Sequence, residues 1–107
     1  MKSQLPTPTA AAAFKSQVTH WAGRIRVKPR RVRLQTMRRK WASCSTVDTV
    51  SFTLDILAQP RAFREYVIVH ELLHLKVPNH GKLFKSLLRA YLPNYESIEP
   101  KPPHREL

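Results

Sequence analysis

Val69-His70-Glu71-Leu72-Leu73-His74-Leu75 sets two histidines four residues apart, with a glutamate directly after the first. The surrounding segment has helical apolar periodicity. It is predicted to start near Pro60, whose missing amide hydrogen suits a first helical turn, and to reach Val77, where Pro78 stops it. Residues four apart lie one turn above another, so His70 and His74 share a face and can approach one zinc ion at about 2.0–2.1 Å. Glu71 sits one step round the helix, beside the metal rather than on it, where it can act as general base on a water. The apolar neighbours Val67, Ile68, Leu72 and Leu73 also fit a buried helix with two hydrogen-bonded core histidines. Burying two imidazoles and a carboxylate on one short stretch is costly without compensation, however, and a divalent cation compensates for it.

A catalytic zinc has three protein ligands and an open position. Downstream candidates for the third are His80, Glu96, Glu99, His104 and Glu106. His80 is favoured, because the break at Pro78 lets the chain fold back beneath the helix end and Gly81 eases the path into the next helix. One zinc ion on His70, His74 and His80, with Glu71 moving the proton, describes a hydrolase of amide bonds. An oxyanion stabiliser is then expected among Tyr95, Tyr91, Arg89 and Asn79, with Tyr95 the leading candidate.

The remaining elements are read from periodicity. Phe14, Val18, Trp21 and Ala22 form one stripe of a helix over Ala10–Ala22, with Gly23 as its stop. Ile25, Val27, Val32 and Leu34 alternate with basic residues, as in a strand pair or one broken strand over residues 24–34. Lys40–Ser45 and Val50–Leu54 are predicted to pair as a hairpin. A last helix, Lys82–Leu92, is expected to place Leu83, Phe84, Leu87, Leu88 and Tyr91 on one face. At 107 residues the chain suits one domain, expected over residues 10–95 between a flexible tail at 1–9 and a proline-rich tail at 96–107. The short alanine run near the start is no signal-peptide core, and Cys44 has no partner for a disulfide, so a cytoplasmic monomer without membrane contact is expected.

Several separated motifs stand in order between Phe14 and Tyr95: Trp21-Ala22, Met37 to Ser45 (MRRKWASCS), Tyr66 to Leu75 (YVIVHELLHL), Asn79-His80-Gly81 and Phe84. Together they resemble the YgjP-like zinc metallopeptidases, relatives of the SprT-like proteases. The resemblance implies zinc on His70, His74 and His80, with Glu71 as catalytic base. It also implies a minimal zincin-like α+β single domain: an N-terminal backing helix, a small β-sheet, the HExxH active-site helix and a C-terminal helix. Two departures are visible, Ala42 where the family has glycine and Asp55 where it has asparagine. Many relatives are longer at the N-terminus, so a pared-down version is expected. By the same likeness, Val50–Leu54 would be a sheet edge that pairs with an extended peptide. Trp41 and Cys44 are expected to pack. A metzincin is not expected, since Val77 replaces the glycine three residues past His74 and no methionine follows the motif.

Charge supplies a further reading. Of the net charge of +12, residues 1–47 carry eleven Lys or Arg and no acid, against eight and seven in residues 48–107. Arg24, Arg26, Lys28, Arg31 and Arg33 are candidate nucleic-acid contacts, while a solvated face that only confers solubility explains the same pattern. The alternative function is thus a metal-dependent endoribonuclease, YbeY-like in its histidine spacing, or a nucleic-acid-associated metal-binding module with little turnover. Glu71 speaks against the nuclease, which does not use a glutamate after the first histidine.

Overall fold

The computed structural model describes residues 8–45 and 47–98. Most of both expected tails, residues 1–7 and 99–107, lies outside the described residues, including Glu99, His104 and Glu106. The fold is α+β. Helix α1 (Pro8–Ile25) is followed by β1 (Arg31–Gln35), β2 (Ala42–Cys44), β3 (Thr49–Thr53) and a 3-10 turn (Leu54–Ala58). Helices α2 (Arg61–Leu73), α3 (Lys82–Tyr91) and α4 (Tyr95–Ile98) complete it.

Helix α1 buries the predicted stripe, Phe14, Val18, Trp21 and Ala22, and extends it by one turn to fully buried Ile25. Residues 24–25 are therefore helix and not the first half of a strand, and Gly23 does not end the helix. The gain from burying Ile25 at the next position of the stripe outweighs the glycine's low helix propensity. The stop comes at Arg26, which takes φ 67°, and the amides of Arg26 and Val27 both donate to the Ala22 carbonyl at 2.8 and 3.0 Å. This is a helix-ending turn of the kind glycine usually provides, built here on arginine.

The expected hairpin forms, β2 antiparallel to β3, but strand order is β1-β3-β2 with β1 parallel to β3. The segment at Val50–Leu54 is consequently the centre of the sheet and not its edge, because both of its sides are already paired. Its burial agrees with this: Val50 and Phe52 are fully buried, and Phe52 meets Phe14 edge to face at 5.0 Å. Trp41 packs edge to face on Phe63 at 5.0 Å.

Helix α2 passes through the middle of the molecule, touching α1, β2, α3 and α4. Its residues Tyr66 to Leu73 are all buried, the all-round burial expected of a helix that is apolar on every side. The α-helix ends at Leu73, four residues before Val77, because the next amides bond three residues back, His74 to Glu71, Leu75 to Leu72 and Lys76 to Leu73. The last turn tightens toward 3-10 geometry. His74 keeps helical dihedrals (φ −63°, ψ −23°), so its placement above His70 survives. In α3, Phe84 and Leu88 are buried, but Leu83 is 60% exposed and lies outside the apolar face assigned to it. Leu83 directly precedes Phe84, so only one of the two can face α2.

Replacing Arg26 by glycine removes a side chain from a left-handed position that costs an ordinary residue about 1–2 kcal/mol, partly offset by the greater freedom of glycine when unfolded. Arg26→Gly is expected to raise stability by about 0.5–1 kcal/mol in urea unfolding. A loss of stability would show that the turn does not carry this strain.

Candidate metal centre

Three segments bring the site together. Helix α2 supplies His70 and Glu71, its tightened last turn supplies His74, and the loop after Pro78 returns His80. One ring nitrogen from each histidine lies within 4.8 Å of the others, the one such cluster of potential metal ligands found among the described residues. His74 and His80 approach most closely, Nε2 to Nε2 at 2.9 Å.

Hydrogen bonding fixes the state of the His74 ring. His74 Nδ1 lies 3.1 Å from the Pro78 carbonyl, which can only accept, so Nδ1 carries the proton and Nε2 keeps its lone pair. Burial holds the His74 pKa below its ordinary value; Glu71 and the Pro78 carbonyl oppose this, and His70 adds to it. His80 is open to solvent on its outer side, with its ring against Phe84 at 4.7 Å. Burial of that inner side lowers its pKa first, then the neighbouring His70 and His74. Three imidazoles whose ring nitrogens gather this closely, one oriented by a carbonyl behind it, are the donor set that suits a divalent cation. The residues therefore fit a metal.

Glu71 is 1% exposed and His70 6%. Glu71 Oε2 is 3.2 Å from His70 Nδ1, while Oε1 has no hydrogen-bond partner among the described residues. Phe84 of α3 lies against all three rings, with ring centroids 5.2, 5.0 and 4.7 Å from His70, His74 and His80. Its role as a common backing surface was not legible in sequence, where Phe84 is one apolar residue among several on its helix.

Two clefts flank the histidines. One, about 560 Å³, is lined by His70 and His80 with Lys82, Lys85, Arg89 and Tyr95. The other, about 540 Å³, is bounded by Glu71 and His74 on one side and by Lys40 and the edge strand β2 on the other. Tyr95 thus borders the histidines, stacked on Tyr66 (6.5 Å), whose ring is 5.8 Å from His70. Arg89 lies over Tyr95 and pairs with Glu96 at 3.3 Å. Glu96, the carboxylate rival to His80, is taken up by that pair and is not in the cluster. Tyr91 instead reaches the Arg24 carbonyl (3.4 Å) at the end of α1. Asn79 is exposed on the loop beside His80.

The Cys44 thiol, half-buried on β2, is pushed up from its ordinary pKa by burial and then by the charges of Glu71 and Asp48. Thiolate is the reactive form, so alkylation of Cys44 at pH 8 is expected to run well below the rate for free cysteine. Equal rates would contradict the shielding.

A model of the YgjP-like metallopeptidase domain matches residues 4–101. Among solved structures, the metallopeptidase zymogen abylysin of Pyrococcus abyssi superposes with a TM-score of 0.72 at 21% identity, covering 80% of this chain and 88% of that one. The metallopeptidase zymogen jannalysin of Methanocaldococcus jannaschii gives 0.71 at 26% identity, covering 78% and 86%. The first of these likenesses speaks to the fold alone. No curated protein matches. With the histidine cluster in place and the family model spanning nearly the whole sequence, the chain belongs to the YgjP-like metallopeptidase domain family, a peptidase class whose substrates are proteins or peptides.

Proposed function

We propose that the chain is a zinc-dependent endopeptidase in which His70, His74 and His80 hold one zinc ion and Glu71 is the general base. The convergence of three imidazoles beside a buried carboxylate carries this reading. Zinc bound there would supply Lewis-acid polarisation of the scissile carbonyl and acidify water near neutral pH.

The chain's own groups do the rest. His74 and His80 bind through Nε2, His74 being fixed by its bond to the Pro78 carbonyl. Glu71 is anchored at Oε2 by His70, which leaves Oε1 to take a proton from the attacking water and return it to the leaving amine. Burial of Glu71 excludes competing solvent from that oxygen. Tyr95, the candidate oxyanion stabiliser, borders the cleft beyond Tyr66. The unpaired edge of β2, which lines the cleft opposite Glu71 and His74, takes the place first assigned to Val50–Leu54 as the strand on which an extended peptide is held. Binding along an open edge admits chain on both sides of the scissile bond, hence an endopeptidase.

Glu71→Gln is expected to lower casein hydrolysis by at least about a hundredfold, the low end of what positioned acid–base catalysis contributes, while bound zinc stays near the parent level. His80→Ala is expected to lose most of the metal, read by elemental analysis of the purified protein. Unchanged zinc in His80→Ala would overturn the ligand set. Cleavage of RNA but not casein would replace the peptidase with a nuclease, and neither activity would leave a metal-binding module.

A further inference from the structure

We propose that residues 24–40 form a docking surface for the phosphodiester backbone of duplex DNA, separate from the cleft at His70 and Glu71. The segment holds nine Lys or Arg and no acid. All nine are exposed, and none belongs to an ion pair among the described residues. The nearest acid in sequence, Asp48, meets this segment through its backbone carbonyl, which accepts from the Arg30 amide at 2.9 Å.

The fold explains why the charges face outward together. Ile25 is fully buried and Val27, Val32 and Leu34 pack against the core, so the basic residues alternating with them are left on the solvent side. Arg31 and Arg33 lie on one face of edge strand β1, two residues and hence about 6.6 Å apart. At the end of α1 the Arg24 guanidinium is held over Trp21 at 4.6 Å and near Tyr91 at 5.9 Å, and the turn at Arg26 is pinned by two bonds to Ala22. The Arg24 cation is thus held in place before any partner arrives, which reduces the entropy lost on binding.

Protection of an edge strand against aggregation needs charge on β1, which accounts for Arg31 and Arg33 but not for the other seven cations. A membrane surface is a poorer fit. Interfacial segments insert apolar side chains, and here those side chains are packed inward. Arginine outnumbers lysine seven to two, and its planar fork bonds phosphate oxygens in pairs. Residues 24–40 contain no aromatic residue, so the surface offers nothing for bases to stack on and reads the backbone without sequence preference. In the order β1-β3-β2, the basic strand and the strand lining the cleft are opposite edges, two strand spacings or about 9.6 Å apart. Of the nine cations only Lys40 lines that cleft.

The test is fluorescence anisotropy with labelled duplex DNA of about 30 base pairs, titrated with intact protein from about 50 to 200 mM NaCl. Single-stranded RNA, and vesicles of phosphatidylserine and phosphatidylcholine, serve as parallel probes. Duplex binding that weakens steeply with salt is expected. The double variant Arg31→Gln, Arg33→Gln should weaken it by about tenfold or more and flatten the log–log salt slope by about 1.8. The charge-matched pair Lys15→Gln, Arg61→Gln, away from this face, should change it by less than about twofold. No binding at the lowest salt, equal losses in both pairs, or binding to vesicles and RNA but not to duplex each overturns the proposal in whole or in its stated ligand. None of these readouts needs turnover, so the result is independent of the peptidase assignment.

Discussion

Everything in this molecule is arranged around the burial of one polar turn in an apolar helix. Glu71 is almost wholly inaccessible, and the residues on both sides of it in α2 are buried as well. A carboxylate without hydrogen bonds or charge partners is costly to bury in such a place. What makes the arrangement tenable is that His70, His74 and His80 stand next to it, able to share a cation. Four elements pack on α2: α1 behind it, β2 on the Glu71 side, and α3 and α4 on the His70 side.

Positioning of the third histidine depends on a sequence of local events. The helix tightens at its last turn, Pro78 ends it and offers its carbonyl to His74, and the loop then returns His80 to within bonding distance of His74. Phe84 supports all three rings from the start of the next helix. The ring that is furthest along the chain is thereby held by contacts from both sides of the break, although its outer face stays in water.

The two ends of the sheet carry different chemistry for a topological reason. Strand β3 is paired on both sides, so among the described residues only β1 and β2 have free edges. One of these edges borders the histidines, and the other carries the arginines. A short sheet of three strands thus keeps a peptide-sized cleft and a cationic surface apart within one small domain.

The α2 motif, its neighbouring apolar residues and the stripe on α1 were legible because helical periodicity and the spacing of His70 and His74 are local properties. The same holds for the break at Pro78 and for the charge asymmetry. Strand order was not legible: the parallel pairing of β1 with β3 is a contact across intervening chain, which alternation of residues cannot reveal, and it moved the open edge from Val50–Leu54 to β2. Nor could propensity foresee the end of α1, where burial of Ile25 carried the helix through Gly23 and left Arg26 in a left-handed turn. The sequence by itself determined which residues could bind a cation and which half would be basic, since both are set by residue type and short-range spacing. Only the tertiary structure decided that Phe84 would back the cluster, that Glu96 would be spent on Arg89, and which edge would face the cleft, because each depends on what the fold places opposite.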